Sequence, residues 1–148
     1  MLKSVLAATV IMGGVLAVPA TANAAGYTPE GICGNGFAVV NKAPVGKLGT
    51  VYLLYNRRNG QNCAVTIKSQ LAGQSTRTTV ELQVQRPFGN NTGPYIHKDS
   101  DSGLFKYYAG PVKLDGKGMC VKFSGSMATG YRRTSMVHGG NNAFTNCG

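Results

Sequence analysis

Acidic residues are scarce in this chain of 148 residues: five Asp and Glu stand against fifteen Lys and Arg, which gives a net charge of +10. Charged residues make up only 14% of the chain, compared with roughly a quarter in an average soluble protein. The positive balance therefore comes from a shortage of acids rather than from an excess of bases. Enzymes that work with a pair of carboxylates have few residues to draw on here, and we predict no enzyme.

Motifs for metals and cofactors are also missing. The two cysteines nearest in sequence are 27 positions apart, so no C-x-x-C pair exists. Asp99 and Asp101, followed by Gly103, resemble the start of a calcium loop, but the later ligands are absent, and we predict a polar surface turn. His97 and His138 lack any zinc or catalytic motif and are predicted to be exposed loop residues. We predict no catalytic, metal-binding or cofactor-binding residues.

The start of the chain has the pattern of a secretory signal. Lys3 precedes an apolar run over residues 5–18, and small residues lead to a cleavage site after Ala24. The run is too short to span a bilayer comfortably and no stop-transfer segment follows it. The prediction is a signal peptide over residues 1–24 and a single secreted domain over residues 25–148. Losing Lys3 leaves 14 basic and 5 acidic residues, a net charge of +9.

An even number of cysteines in a secreted chain predicts disulfides, here two. The four are Cys33, Cys63, Cys120 and Cys147. Alternation along the strand places Cys63 on the apolar face with Val65, whereas Cys120 shares a face with Lys122 and is predicted to point outward. This favours Cys33–Cys63 with Cys120–Cys147 over the alternative that joins Cys63 to Cys120, without excluding it.

The hydrophobic pattern is that of β-strands throughout. Residues 78–85 alternate most clearly, with Val80, Leu82 and Val84 on one face. Further strands are predicted at 37–40, 48–55, 63–68, 104–114 and 119–124, with hairpins at the turns 56–62 and 115–118. Residues 86–103 are predicted to be a long irregular loop, and Pro111 to mark an edge strand or a bulge. The predicted fold is all-β: a small disulfide-stapled antiparallel β-sandwich or barrel.

Basic residues and tyrosines recur along the predicted strands and turns. The candidate binding residues are Arg57, Arg58, Tyr107, Tyr108, Lys113, Lys117, Lys122, Tyr131, Arg132 and Arg133. Basic groups beside exposed aromatic rings bind polyanions or sugar faces. The alternative is that the charges only keep the surface soluble and that the tyrosines belong to the core.

Several segments together resemble one family. They are 28–34, 48–53, 62–66, 107–113, 117–121 and 146–148. In this order, and with the same cysteine frame, they are similar to the spore-associated protein A family, small secreted proteins of filamentous actinomycetes. The match covers nearly all of residues 27–148, although Phe123 stands where the family tends to carry Trp. The resemblance implies secretion and association with the spore or cell surface, and it implies no catalytic residues.

These observations lead to one expected function and one alternative. We expect a secreted, non-enzymatic protein at the spore or cell surface, where a basic, Tyr-bearing face binds an anionic envelope polymer. Because the protein is expected to be exported, nucleic acid is not an expected partner, and no membrane span is expected in the mature form. The alternative is a secreted inhibitor or antimicrobial effector that presents the loop 86–103. The identity of the ligand and the oligomeric state stay open.

Overall fold

Eight strands and one short helix account for most of residues 26–87, 96–132 and 135–148, which are the residues that this computed structural model describes. The elements in chain order are α1 (Pro29–Cys33), β1 (Phe37–Val45), β2 (Gly49–Asn56), β3 (Gln61–Lys68), β4 (Thr76–Gln85), β5 (Ile96–Phe105), β6 (Tyr108–Asp115), β7 (Cys120–Ala128) and β8 (Met136–Gly140). The predicted signal peptide lies outside the described residues and stays a prediction.

The strands form two four-stranded antiparallel sheets. The first sheet has the order β1-β2-β3-β6 and the second has the order β5-β4-β7-β8. Within the described residues the sheets pack face to face and do not close into a barrel. The all-β prediction is therefore confirmed, and of its two forms the structure is the sandwich.

The core between the sheets is built from alternate residues of their inner faces. Val80, Leu82 and Val84 of β4 are fully buried, which confirms the predicted dry face of that strand. They share the cluster with Leu53 of β2 and Phe123 of β7. Removal of this apolar surface from water is the main stabilising contribution of the sandwich.

A second apolar cluster covers the outer face of the first sheet. There α1 lies over β3, and the disulfide Cys33–Cys63 joins them with a Cα–Cα distance of 6.1 Å. Thr28 caps the helix by accepting a hydrogen bond from the Gly31 amide at 3.0 Å. The predicted pairing is confirmed, but Cys63 is buried beneath the helix rather than between the sheets. The five-residue helix was not predicted because it is too short to show a helical period.

The second disulfide, Cys120–Cys147, confirms the other predicted pair and fastens the last residues to the start of β7. Next to it, Thr145 and Val121 exchange two backbone hydrogen bonds of 2.6 and 2.9 Å. The short strand β8 in this Gly-rich region was not predicted.

The predicted hairpin of 104–114 with 119–124 is wrong. β6 pairs with β3 in the first sheet, whereas β7 pairs with β4 in the second. The predicted strand is interrupted at residues 106–107, and Gly110 and Pro111 belong to β6. Since β6 is an edge strand with an irregular register at this point, Pro111 is tolerated as predicted, and the Gly110 amide donates to Asp101 Oδ2 at 2.8 Å.

The predicted loop over 86–103 is wrong for residues 96–103, which belong to β5. Residues 88–95 of that loop lie outside the described residues. β5 pairs with β4 over ten residues, including Asp99 and Asp101, so these carboxylates lie on a strand and not in a turn. The strand β5 was not predicted because its composition is polar, although charged residues are typical of strands at sheet edges.

Lys68, at the end of β3, links the two sheets. Its side chain is only 1% exposed, and Nζ donates to Thr76 Oγ1 at 2.6 Å and to the carbonyls of Gln74 (2.9 Å) and Phe105 (2.6 Å). Gln74 precedes β4, Thr76 is its first residue, and Phe105 is the last residue of β5. All three ammonium hydrogen bonds of Lys68 therefore reach segments at one end of the second sheet. Burial lowers the pKa of Lys68 from 10.5 to about 8.

Lys68→Met should lower the free energy of unfolding by about 2–4 kcal/mol, because one buried and two partly buried acceptors lose their donor. The pH dependence should change too. With a depressed folded pKa, the unfolded chain binds more protons between pH 8 and 10.5, so the stability of the parent protein rises with pH across that window. In Lys68→Met the rise of stability with pH that comes from this lysine should be missing. Denaturant unfolding at pH 7.5 and 9.5 measures it, and equal pH slopes in the two proteins would contradict the assignment.

The sheets approach closely where Gly125 of β7 faces β3. A methyl group at Gly125 would overlap Thr66 Oγ1 and would lie 3.0 Å from Val51 Cβ. Gly125→Ala should therefore destabilise the protein by about 1–3 kcal/mol in thermal or denaturant unfolding. Adding Thr66→Ala should recover part of this loss; losses that simply add would show that the two positions do not compete for space.

Candidate functional site

The structure divides the predicted binding residues between the two sheets. Those on or beside β6 and the turn between β2 and β3 belong to the first sheet: Arg57, Arg58, Tyr107, Tyr108, Lys113 and Lys117. Lys122 lies on β7, and Tyr131 and Arg132 lie in the connection from β7 to β8. Arg133 lies outside the described residues.

The turn that carries the two arginines is shaped by local polar contacts. The Arg58 amide donates to Asn56 Oδ1 at 3.0 Å, and the Gly60 amide donates to the Asn56 carbonyl at 2.8 Å. Gly60 has a φ of +73°, which a glycine adopts without strain. The turn therefore holds the backbone of Arg57 and Arg58 in place while their side chains remain exposed.

A second turn, between β6 and β7, packs directly against the first. The Gly116 amide donates to the Gly60 carbonyl at 3.0 Å, and a methyl group at Gly60 would lie 2.8 Å from Lys117 Cβ. Lys117 is thus placed beside the arginine turn. We name Arg57, Arg58 and Lys117 the basic turn cluster.

Lys113 extends the positive charge from this cluster along β6. Its Nζ lies 5.1 Å from the centre of the Phe37 ring, within the range of a cation–π contact. Among the described residues, neither Lys113 nor any member of the basic turn cluster forms an ion pair. Their charges are therefore available to an anionic ligand.

The opposite end of β6 is aromatic. The ring of Tyr27 lies 5.3 Å from that of Tyr107 and 5.0 Å from that of Tyr108, and with Phe105 and Lys106 these rings line a shallow cleft of about 350 Å³. Tyr27 was not among the predicted binding residues, because only the tertiary structure brings its ring beside those of Tyr107 and Tyr108. β6 has eight residues and spans roughly 23 Å, so this end is well separated from the basic turn cluster.

The candidate residues on the second sheet do not join this set. Lys122 lies near Glu81, which pairs with Lys98 at 2.5 Å. Burial raises the pKa of Glu81, but the hydrogen bonds from Lys98 and Gln83 and the charge of Lys122 outweigh it, so the net pKa lies below its usual value. The charge of Lys122 is thus partly balanced, and Lys122 lies on a different sheet from the basic turn cluster.

Neither the predicted turn nor the histidines form a metal site in the part of the chain that the structure describes. No group of three or more His, Cys, Asp or Glu residues there is placed to hold a metal ion. His97 lies in β5 and His138 lies in β8, so the prediction of loop positions is wrong for both, although both are exposed. In the same described residues, no helix is long and apolar enough to cross a membrane.

Comparison with known proteins gives one relationship. No family model matches the chain, and no solved structure is similar to it. Over 114 residues the chain is 40% identical to Spore-associated protein A of Streptomyces coelicolor. The match covers 75% of this chain and 68% of that protein.

Proposed function

Because this chain belongs to the spore-associated protein A family, we propose that it is itself associated with the spore or cell surface. The relative's name supplies the association with the spore, and the predicted signal peptide supplies a route of export. We further propose that the protein acts by binding and not by catalysis. The scarcity of acidic residues supports this second point, since carboxylates are common general acids and bases.

The partner we propose is an anionic polymer of the envelope, bound by the basic turn cluster together with Lys113. The observation that carries this proposal is the hydrogen bond from the Gly116 amide to the Gly60 carbonyl, because it brings cations from two distant segments together. Both turns are held by backbone contacts, so binding orders only the side chains. Single exposed ion pairs are weak, and several of them acting on one polymer give useful affinity.

The shape of the first sheet suits an extended ligand. A polymer bound at the basic turn cluster could follow β6 past the exposed Lys113 to the rings of Tyr27, Tyr107 and Tyr108. Tyrosine rings offer an apolar face to a sugar and a hydroxyl group to water. The distance of roughly 23 Å along β6 requires several repeating units.

Removing the charges of the basic turn cluster should weaken binding to purified spore walls or cell walls. The variant Arg57→Gln/Arg58→Gln/Lys117→Gln should bind roughly tenfold less tightly at about 0.1 M salt, since three weak ion pairs are lost. Binding of the parent protein should fall as salt rises, because exposed charges are screened. A co-sedimentation assay at several salt concentrations measures both effects.

A control with the same change in net charge separates local recognition from overall charge. Lys42→Gln/Lys47→Gln/Arg77→Gln removes three exposed cations from β1, the turn after it and β4. This control should bind nearly as well as the parent protein. Equal loss in both triple variants would refute the basic turn cluster as the binding site, and binding that ignores salt would refute the electrostatic mechanism.

The alternative function as an inhibitor or antimicrobial effector receives no support from the fold. Its proposed presenting loop over 86–103 is shortened, because residues from Ile96 onward belong to β5.

A further inference from the structure

A small pocket opens at the end of the sandwich where the two packed turns lie. Its volume is about 200 Å³, and it is lined by Val40, Tyr55, Asn62, Gly116, Met119, Asn146, Cys147 and Gly148. No acidic or basic side chain is among these residues. The volume is below the ~300–1,000 Å³ of pockets for drug-sized ligands, so it suits one ring or a side group of a larger molecule.

The unusual residue in this pocket is Asn62. As a whole residue it is only 3% exposed, its side chain borders the pocket, and no hydrogen bond joins its side-chain amide to another described residue. Asn56, which is similarly buried, accepts from the Arg58 amide and donates to the Asn35 carbonyl. Because polar groups inside native proteins are nearly always satisfied, an amide that borders the pocket without a protein partner is open to hydrogen bonding by a ligand.

Gly116 keeps the space in front of this amide open. A methyl group there would overlap Asn62 Nδ2 and would lie 3.1 Å from Val84 Cγ1. The backbone at Gly116 is outside the left-handed region, so its conformation alone does not require glycine. The absence of a side chain instead leaves room beside the Asn62 amide.

The pocket residues Asn146 and Cys147 are held by covalent and hydrogen bonds. The disulfide Cys120–Cys147 anchors this segment, Asn141 Nδ2 donates to Thr145 Oγ1 at 2.7 Å, and Asn146 Nδ2 donates to the same oxygen at 3.0 Å. A pocket with fixed walls binds without the cost of ordering them.

We propose that this end pocket binds the acetamido group of a neutral N-acetylated sugar. A carboxamide is the natural partner for an acetamido group, because Asn62 can donate to its carbonyl and accept from its N–H. Tyr55 lies opposite Asn62 in the β2–β3 ladder, so its ring is beside the amide and can cover the sugar. Val40 and Met119 provide apolar contacts for the acetyl methyl group.

The proposal is independent of the basic turn cluster. The proposed ligand is a neutral sugar, so its binding should respond little to salt, whereas polymer binding through the cluster should weaken as salt rises. The two tests can therefore fail separately. Because Gly116 in the pocket precedes Lys117 of the cluster, a polymer with both N-acetylated sugars and anionic groups could occupy both sites.

Titration of ¹⁵N-labelled protein with N-acetylglucosamine tests the site directly. The backbone amides of Asn62, Gly116 and Cys147 should shift in a saturable way with a dissociation constant of about 1 mM, which is weak binding. Glucose, which lacks the acetamido group, should bind at least tenfold more weakly. No saturable shifts with N-acetylglucosamine, or equal shifts with both sugars, would overturn the proposal.

Asn62→Leu separates a binding role from a structural one. The change removes the amide and keeps the volume, so the melting temperature should stay the same or rise, while sugar binding falls at least tenfold. Thr66→Val is the matched control: Thr66 Oγ1 is a buried polar atom without a partner among the described residues, and Thr66 does not line the pocket. The control should keep full sugar binding.

Two results would oppose the role of Asn62: undiminished sugar binding in a folded Asn62→Leu protein, or equal loss of binding in Thr66→Val. If Asn62→Leu does not fold, Gly116→Ala gives the same test, because its methyl group occupies the space in front of the amide. Retained binding in folded Gly116→Ala would then overturn the proposal.

Discussion

The buried ammonium group of Lys68 is the contact on which the arrangement of the two sheets depends. Its three hydrogen bonds fix the start of β4 and the end of β5 against the end of β3. Two residues separate Phe105 from β6, and β6 returns to the first sheet beside β3. This return brings Lys117 next to the arginine turn, so the basic turn cluster depends on a contact at the other end of the strands.

The first sheet, which carries the proposed binding residues, has an apolar cluster on each of its faces. One face contributes to the core between the sheets, and the other lies under α1, held by Cys33–Cys63. Phe37 belongs to this outer cluster and lies beneath the Lys113 ammonium group. A small domain gains from such a second cluster, since its single inter-sheet core is modest and disulfides make up part of the difference.

The two binding sites that we propose lie side by side at one end of the sandwich. Binding at the basic turn cluster would depend on charge, which reaches several ångströms and weakens in salt. Binding in the end pocket would depend on hydrogen bonds and shape, which operate only at contact. Gly116 belongs to both: its amide joins the two turns, and its missing side chain opens the pocket.

By itself, the sequence determined the all-β class, the presence of two disulfides, the dry face of β4 and the hairpin at residues 56–62, and it favoured the disulfide pairing that the structure confirms. Each of these depends on alternation, turn residues or cysteine count, which are encoded within a few neighbouring positions. Only the tertiary structure decided that β6 and β7 belong to different sheets, that polar β5 is a strand, and that Tyr27 meets Tyr107. It also decided that Lys68 and Asn62 are buried. The physical reason is that partner strands and burial depend on contacts between residues far apart in the chain, and no local pattern records them.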